Sequence, residues 1–320
     1  MDKTLIKFNE LYSLVPFGLY NNNILCYFNA LLQSLFSCTS ITEYLLNNEN
    51  KFINNNFIKL YINILKNYVL INKSREASTY TIEQSNIILF NEFLTLIQNK
   101  NIHFGYNQED SGELLLLLLD IINDKYIYNL FYNKYKCDIY CRNCKNIVSI
   151  KDDISVQFEI STEFVDSHFL QSETNKKLHN LNQFIKNNYS ECDDYVCSKC
   201  HRNGLSIKLN RLLLTPTIIV INFNKYEEKK NYMYPIELFF INDKENKKYN
   251  YKLVSSIHHS GNMNFGHYIA KSIRKTIKNN EIINNIYELN DSSYVQDSFK
   301  PDSNSYLLFY HYVDSMDYYK

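Results

Sequence analysis

Some residues in this chain have the type and spacing to do chemistry. Cys26 stands just before Phe28, Leu31, Leu32, Leu35 and Phe36, an i, i+3, i+4, i+7, i+8 series that predicts a helix. A thiol at a helix N-terminus meets the positive end of the macrodipole, which favours the reactive thiolate. A lone cysteine is more often a buried, inert side chain, so a nucleophile also needs a base and a group to orient that base. Among eight His, the context of His267 stands out. Gly266-His267-Tyr268 follows Ser260-Gly261-Asn262-Met263-Asn264 and opens a predicted strand, with a glycine that permits close backbone approach. Downstream, Asn290-Asp291-Ser292-Ser293 offers an amide and a carboxylate to hold an imidazole. His258, His259 and His311 are its plain competitors, and histidine in a strand is more often structural than catalytic.

The eight Cys contain a second pattern. Cys141 with Cys144, and Cys197 with Cys200, form two CxxC knuckles, while Cys26, Cys38, Cys137 and Cys192 stand apart. Four thiolates make a closed tetrahedral set for a structural metal, with no open position for catalysis. Met1-Asp2-Lys3-Thr4 lacks the basic-then-apolar layout of a signal peptide, and the leucine run Leu114 to Leu119 ends at Asp120, short of the ~18 residues a membrane span needs. These features predict an intracellular chain with reduced thiols.

The elements that must position these residues read as helices first and strands later. After the Phe28–Phe36 helix come helical stretches near Ile53 to Leu70 and Ile87 to Ile97. Asp110-Ser111-Gly112-Glu113 reads as a capping box opening a leucine-rich helix to about Ile122, apolar nearly all round and therefore expected to be buried. Beyond Asn129, Ser155 to Ile160 alternates with period two. Thr217 to Phe223, Tyr251 to Ile257, His267 to Ile273 and Ser305 to Tyr312 also read as strands. The polar stretches Asp243 to Asn250 and Lys275 to Asn285 read as loops. The order predicts an α+β fold. With 320 residues, 34 Lys+Arg against 34 Asp+Glu and 45% hydrophobic residues, the chain is globular and lacks the basic excess of a nucleic-acid binder. No Pro/Gly/Ser linker divides it, so one domain with subdomains is expected.

The segment from Gly18 through Asn21, Cys26, Tyr27, Asn29, Gln33 and Leu35 resembles the cysteine box of the ubiquitin-specific proteases, GLxNxGNTCYxNSxLQxL. Further blocks resemble the family in order. Gln108-Glu109-Asp110-Ser111-Gly112-Glu113-Leu114 is similar to QQDAxEF, the CxxC pairs to its zinc ligands, and Leu214 to Tyr226 to its "LP…LKRF" block. His259-Ser260-Gly261 with Gly266-His267-Tyr268 is similar to the histidine box, Leu289-Asn290-Asp291-Ser292 to FND(S), and Tyr306 to Tyr310 to the closing strand. Seven blocks in order are far more specific than one.

The resemblance implies a papain-like cysteine protease fold spanning 14–313, with a helical thumb (about 14–128), zinc-pinned fingers (about 129–223) and a palm (about 224–313). It implies a ubiquitinyl hydrolase that cleaves after the C-terminal glycine of ubiquitin. Cys26 would be the nucleophile, His267 the base, Asn290 its orienting partner with help from Asp291, and Asn21 the oxyanion donor. Asp110 and Glu113 would contact ubiquitin's basic tail and Tyr268 would wall its channel. Cys141, Cys144, Cys197 and Cys200 would hold structural Zn2+. Partners would be ubiquitin and ubiquitinated proteins, with no nucleic acid or membrane, and the chain would act as a monomer in the cytoplasm, the nucleus or both.

The chain departs from the family pattern at Asn23, Ile24 and Leu25, which replace Gly-Asn-Thr; Asn23 would have to take the left-handed conformation. Gly112 replaces a His or Gln, Ile286 a Trp, and Tyr294 is one extra residue. Readings left open are an inactive ubiquitin-binding scaffold, a zinc-ribbon nucleic-acid binder, and a protease for another ubiquitin-like modifier.

Overall fold

The computed structural model describes residues 12–21, 24–71, 85–100, 102, 104–105, 107–150, 153–161, 187–192, 194–204, 206–224, 234–242, 246–262, 265–278 and 281–317. Asn23 and parts of the stretches 129–223, 214–226, 243–250, 260–264 and 275–285 discussed above lie outside them.

The helices come first. α1 is Cys26–Ser37, α2 Thr39–Asn47, α3 Asn56–Tyr68, α4 Ser85–Asn99, α5 Ser111–Ile122 and α6 Lys125–Phe131. A short strand β1 (Tyr12–Leu14) pairs with β2 (Val69–Ile71), so the predicted helix ending near Leu70 stops earlier and turns into a strand. The capping box is present: Asp110 precedes α5 and accepts the backbone N–H of Glu113. α5 is not buried all round, however, because Leu116 is exposed while Leu114, Leu115, Leu118 and Leu119 face the core. A run of six leucines conceals which side faces water.

The strands that follow form two sheets. The smaller one holds β3 (Asn133–Cys141), β4 (Ile147–Ser149), β5 (Asp153–Ser155), β7 (Asn187–Cys192) and β8 (Ser206–Leu214). The larger has eight strands. They are β6 (Gln157–Ser161), β9 (Ile218–Asn224), β10 (Glu237–Asn242), β11 (Lys247–Gly261), β12 (Gly266–Lys278), β13 (Glu281–Asn290), β14 (Ser293–Asp297) and β15 (Ser305–Asp317). Pairing in it is antiparallel except between β6 and β9. β9 is buried on both faces: Ile218 and Val220 join the core under the helices, whereas Ile219, Ile221 and Phe223 join a second core on the opposite side.

Two stretches read as loops are partly strand. Lys247 to Asn250 begins β11, and Lys275 to Asn285 extends the β12–β13 hairpin, with Thr276 opposite Ile283 and Ile277 opposite Ile282. Backbone pairing runs on through residues 281–284, whose side chains are exposed, a combination that composition alone reads as loop.

Every residue of α1 is buried. Its small residues let it lie close on the sheet. Ser34 bonds back to the carbonyl of Ala30, and Ser255 of β11 donates to Ser34 at 2.9 Å and meets Ser272 of β12 at 2.6 Å. Arg274 of β12 is fully buried beside the C-terminal turn of the same helix. Its guanidinium donates to the carbonyl and side chain of Gln33 and to the hydroxyl of Ser37, and lies 5.6 Å from the centre of the Phe17 ring. No carboxylate pairs with it among the described residues; the negative end of the helix and the ring face take that place. Burial pulls its pKa down to about 9, which leaves it charged at neutral pH. No helix among the described residues is long and apolar enough to cross a membrane.

Arg274→Ala should lower the unfolding free energy by about 3–5 kcal/mol, the usual cost of breaking a buried charged network. Arg274→Met should cost less, because it refills the volume and removes the buried charge. Urea unfolding of both variants measures the difference.

Candidate active site and metal site

Cys26 is the first residue of α1 and is almost fully buried. The turn before it is held by Asn21, whose side-chain oxygen accepts the N–H of Leu25 at 2.8 Å. His267 is the second residue of β12 and half-exposed. Asn290 ends β13, which pairs with β12, so sheet register brings it to the imidazole: His267 Nε2 lies 2.8 Å from Asn290 Oδ1. With Nε2 donating to that oxygen, Nδ1 is the nitrogen left to face the thiol. The imidazole is pushed up to about 9, chiefly by hydrogen bonding to Cys26. Partial burial opposes the rise, while Asn290 and the charges of Cys26 and Asp291 support it. Cys26, His267 and Asn290 therefore meet, although more than 260 residues of chain separate the first from the last.

Asp291 lies 3.8 Å from His267 Nε2, further than Asn290, and is occupied elsewhere. One of its oxygens accepts from Asn21 and the other from Asn29, both at 2.8 Å. It has a left-handed backbone (φ 47°) in the two-residue turn joining β13 to β14, where Asn290 pairs with Ser293. Leu19 donates its N–H to the carbonyl of Asp291 at 2.7 Å. Gly18 makes this approach possible, since a Cβ there would stand 2.2 Å from the carbonyl oxygen of Ser292. Asn21 thus has one amide proton on Asp291 and a second still to give.

Sequence reasoning missed three residues around this centre. Asn29 and Asn86 are buried and extend the network, Asn86 donating to Asn29 at 2.9 Å and to the carbonyl of Tyr20 at 2.7 Å. Gln108 donates to Cys26 Sγ at 2.8 Å. Asn29 and Gln108 lie inside the quoted blocks, so position relative to Cys26 and Asp110 was the available signal; Asn86 carries none.

The competing histidines are structural. His258 lies between Ser256 (2.9 Å) and Asp302 (3.0 Å), atom for atom a Ser-His-Asp relay. Ser256 and His258 are both buried, so no substrate reaches this hydroxyl, and the relay instead ties the segment before β15 to β11. His259 stacks at 4.4 Å on Tyr268, and His311 is held by Ser40 and the carbonyl of Tyr312.

Beside the centre, Asp110 caps α5 through one oxygen and accepts the hydroxyl of Tyr306 through the other. Burial, then repulsion from Asp110 and Glu109, raises the pKa of Glu113. This acidic group would welcome a cation. Tyr268 is buried behind His259 and forms wall rather than open surface.

The four knuckle sulfurs lie within 4.8 Å of one another, Cys141 with Cys200 at 3.7 Å and Cys144 with Cys197 at 3.6 Å. Zinc–sulfur bonds of about 2.3 Å place tetrahedral sulfurs about 3.8 Å apart, so the set fits Zn2+. The knuckles repeat one geometry. Lys145 and His201, each four residues after the first cysteine, take positive φ and donate back to the carbonyls of Cys141 and Cys197. Cys137 is buried in the second core and takes no part.

NMR titration of His267 should give a midpoint near 9, falling toward the ordinary 6.5 in Cys26→Ala. The raised value also makes this histidine's contribution to stability full below about 6.5 and lost as pH rises through about 9. Metal analysis should find one zinc per chain, and Cys200→Ser should remove it and lower soluble yield.

Comparison with known proteins gives the family and the fold. The sequence model of the ubiquitin carboxyl-terminal hydrolase family matches residues 17–310. Ubiquitin carboxyl-terminal hydrolase 12 of Salmo salar is 23% identical over 308 residues, covering 79% of this chain and 76% of its own. A probable ubiquitin carboxyl-terminal hydrolase of Acanthamoeba polyphaga mimivirus is 27% identical over 146 residues, 41% of this chain and 30% of its own length. Ubiquitin carboxyl-terminal hydrolase 8 of Saccharomyces cerevisiae is 23% identical over 209 residues, 52% of this chain and 42% of its own. The chain thus spans under half the length of two of these three relatives. Among solved structures, the SAGA Ubp8/Sgf11/Sus1/Sgf73 DUB module bound to ubiquitin aldehyde contains a chain similar in fold, with TM-score 0.69 and 19% identity over 93% of this chain and 70% of that one. A Ubp8-Sgf11-Sgf73-Sus1 SAGA DUB module matches with TM-score 0.65 and 18% identity over 94% of this chain and 68% of that one. The blocks, the fold and the family match together make this chain a member of the ubiquitin carboxyl-terminal hydrolase family.

Proposed function

We propose that the chain is a deubiquitinating cysteine protease that cleaves the bond after the C-terminal glycine of ubiquitin. The observation that carries the reading is the convergence of Cys26, His267 and Asn290, the last hydrogen-bonded to His267 at 2.8 Å, within a chain of this family. His267 takes the thiol proton, and Cys26 Sγ attacks the glycine carbonyl. The tetrahedral oxyanion receives the free amide proton of Asn21, a donor worth about 3 kcal/mol in comparable sites. The C–N bond then breaks as His267 returns the proton to the leaving amine. Water, losing a proton to His267, attacks the thioester, and the carbon–sulfur bond breaks to free ubiquitin's carboxylate. Asn290 orients the imidazole. Asp291, bonded to Asn21 and Asn29, positions the oxyanion donor more than it serves the base.

The tail of ubiquitin, basic and ending in two glycines, fits the acidic wall of Asp110 and Glu113, with Tyr268 behind it. The domain reads as a thumb to about 128, fingers from 129 to 223 and a palm from 224 to 313. The four cysteines would hold zinc to pin the fingers, and the metal takes no part in bond cleavage. A ubiquitin-bound neighbour of the same fold is consistent with ubiquitin as partner.

Ubiquitin carrying a C-terminal 7-amido-4-methylcoumarin tests the reading. The native chain should release coumarin. Cys26→Ala should abolish release, a loss of at least about a thousandfold, while still binding ubiquitin. Binding without turnover by the native chain would favour an inactive scaffold, and release only from another modifier's coumarin would change the substrate.

A further inference from the structure

Gln108 stands two residues before the cap of α5, and its carboxamide is fully engaged by the catalytic centre. Its oxygen accepts the N–H of Gly266 at 2.8 Å, and its nitrogen donates to the carbonyl of the same residue at 2.6 Å. The side chain thus takes both backbone groups of one residue, the N–H and the C=O of Gly266, as a neighbouring antiparallel strand would. The remaining amide proton points at Cys26 Sγ, 2.8 Å from the nitrogen.

Gly266 cannot be fastened by a side chain of its own. A Cβ there would lie 2.1 Å from His259 Nε2 and 2.7 Å from the carbonyl of Ser260. It follows a hairpin tip whose Phe265 is 77% exposed. The residue carrying the base begins immediately after it. The pairing with Gln108, reaching across 158 residues, anchors this end of β12 to the nucleophile's side of the site.

We propose, building on the reading of Cys26 as nucleophile and His267 as base, that Gln108 is a catalytic residue: one carboxamide both fixes the backbone that presents His267 and donates a proton to the Cys26 sulfur. A neutral thiol is a weak acceptor and a thiolate a strong one, so the donor favours the charged form. Passing the thiol proton to His267 then costs less, and the ion pair forms in the geometry that attack needs.

The test compares the native chain with Gln108→Met, which removes every polar contact at similar length, and Gln108→Glu. The glutamate can accept from Gly266 but repels that carbonyl and the sulfur. Alkylation of the Cys26 peptide by iodoacetamide, followed by mass spectrometry across pH, reports the thiolate. Its midpoint should rise by about one unit in Gln108→Met and further in Gln108→Glu. With the coumarin substrate, kcat should fall about 10–100-fold with KM nearly unchanged. An unmoved midpoint in a variant that melts like the native chain overturns the proposal, because a purely structural glutamine would leave the thiolate untouched. If Gln108→Met fails to fold, the isosteric Gln108→Glu carries the same test. Cys26→Ala run alongside separates the two levels: turnover surviving in that variant overturns the underlying reading, whereas its loss beside an unmoved Gln108 midpoint overturns only the role of Gln108.

Discussion

The arrangement depends on one buried helix. α1 presents Cys26 at its positive end and is buried along its whole length, so it has no freedom to turn or slide without opening the core. Its other end is closed by Arg274, a buried cation that meets carbonyls and a ring face in place of a carboxylate. Burying a charge in this way costs several kcal/mol, and the cost is offset only while the terminal carbonyls of α1 stay where they are. Arg274 belongs to β12, the strand that begins next to His267. One strand therefore carries His267 at its start and grips the helix of Cys26 seven residues later. The distance between the reacting groups becomes a property of helix–sheet packing, which is stiff, instead of loop conformation, which is not.

The third group is placed by a turn. Asn290 and Asp291 are adjacent, yet they serve opposite sides of the site. The left-handed backbone at Asp291 swings its carboxylate toward Asn21 and Asn29 while Asn290 stays on the imidazole. The family resemblance makes Asn290 the partner of His267 with help from Asp291, and the two stand at 2.8 Å and 3.8 Å from its Nε2. The turn is in turn located by the segment before Cys26, through Gly18 and Leu19. Asn21, the turn and the helix of Cys26 thus form one closed loop of contacts.

Much of this was legible in the sequence where a residue's surroundings are local. The helix after Cys26, the Asp110 cap and the two CxxC knuckles are each specified within about a dozen residues, and each is present. What failed did so for different reasons. Lys275 to Asn285 reads as a polar loop because its pairing is between backbones. The exposed side of α5 is invisible in a run of identical leucines. Asn86 has no local signature, since its importance comes from Asn29, 57 residues away. The Ser256-His258-Asp302 relay carries the reverse lesson. It has the atoms of a catalytic triad and lacks only access, which sequence does not record.

The two chemical centres of the chain also differ in how they are joined to the fold. The knuckles sit at the end of β3 and just before β8, the long pair of the smaller sheet, which are in register from Cys141 opposite Ser206 to Tyr135 opposite Leu212, with a register shift before Lys134 opposite Leu214. Nine residues of strand extend about 30 Å. After Leu214 only three residues pass before β9 enters the larger sheet, between β15 and β6. What a closed metal site there can govern is the direction in which a nine-residue lever projects from a rigid sheet.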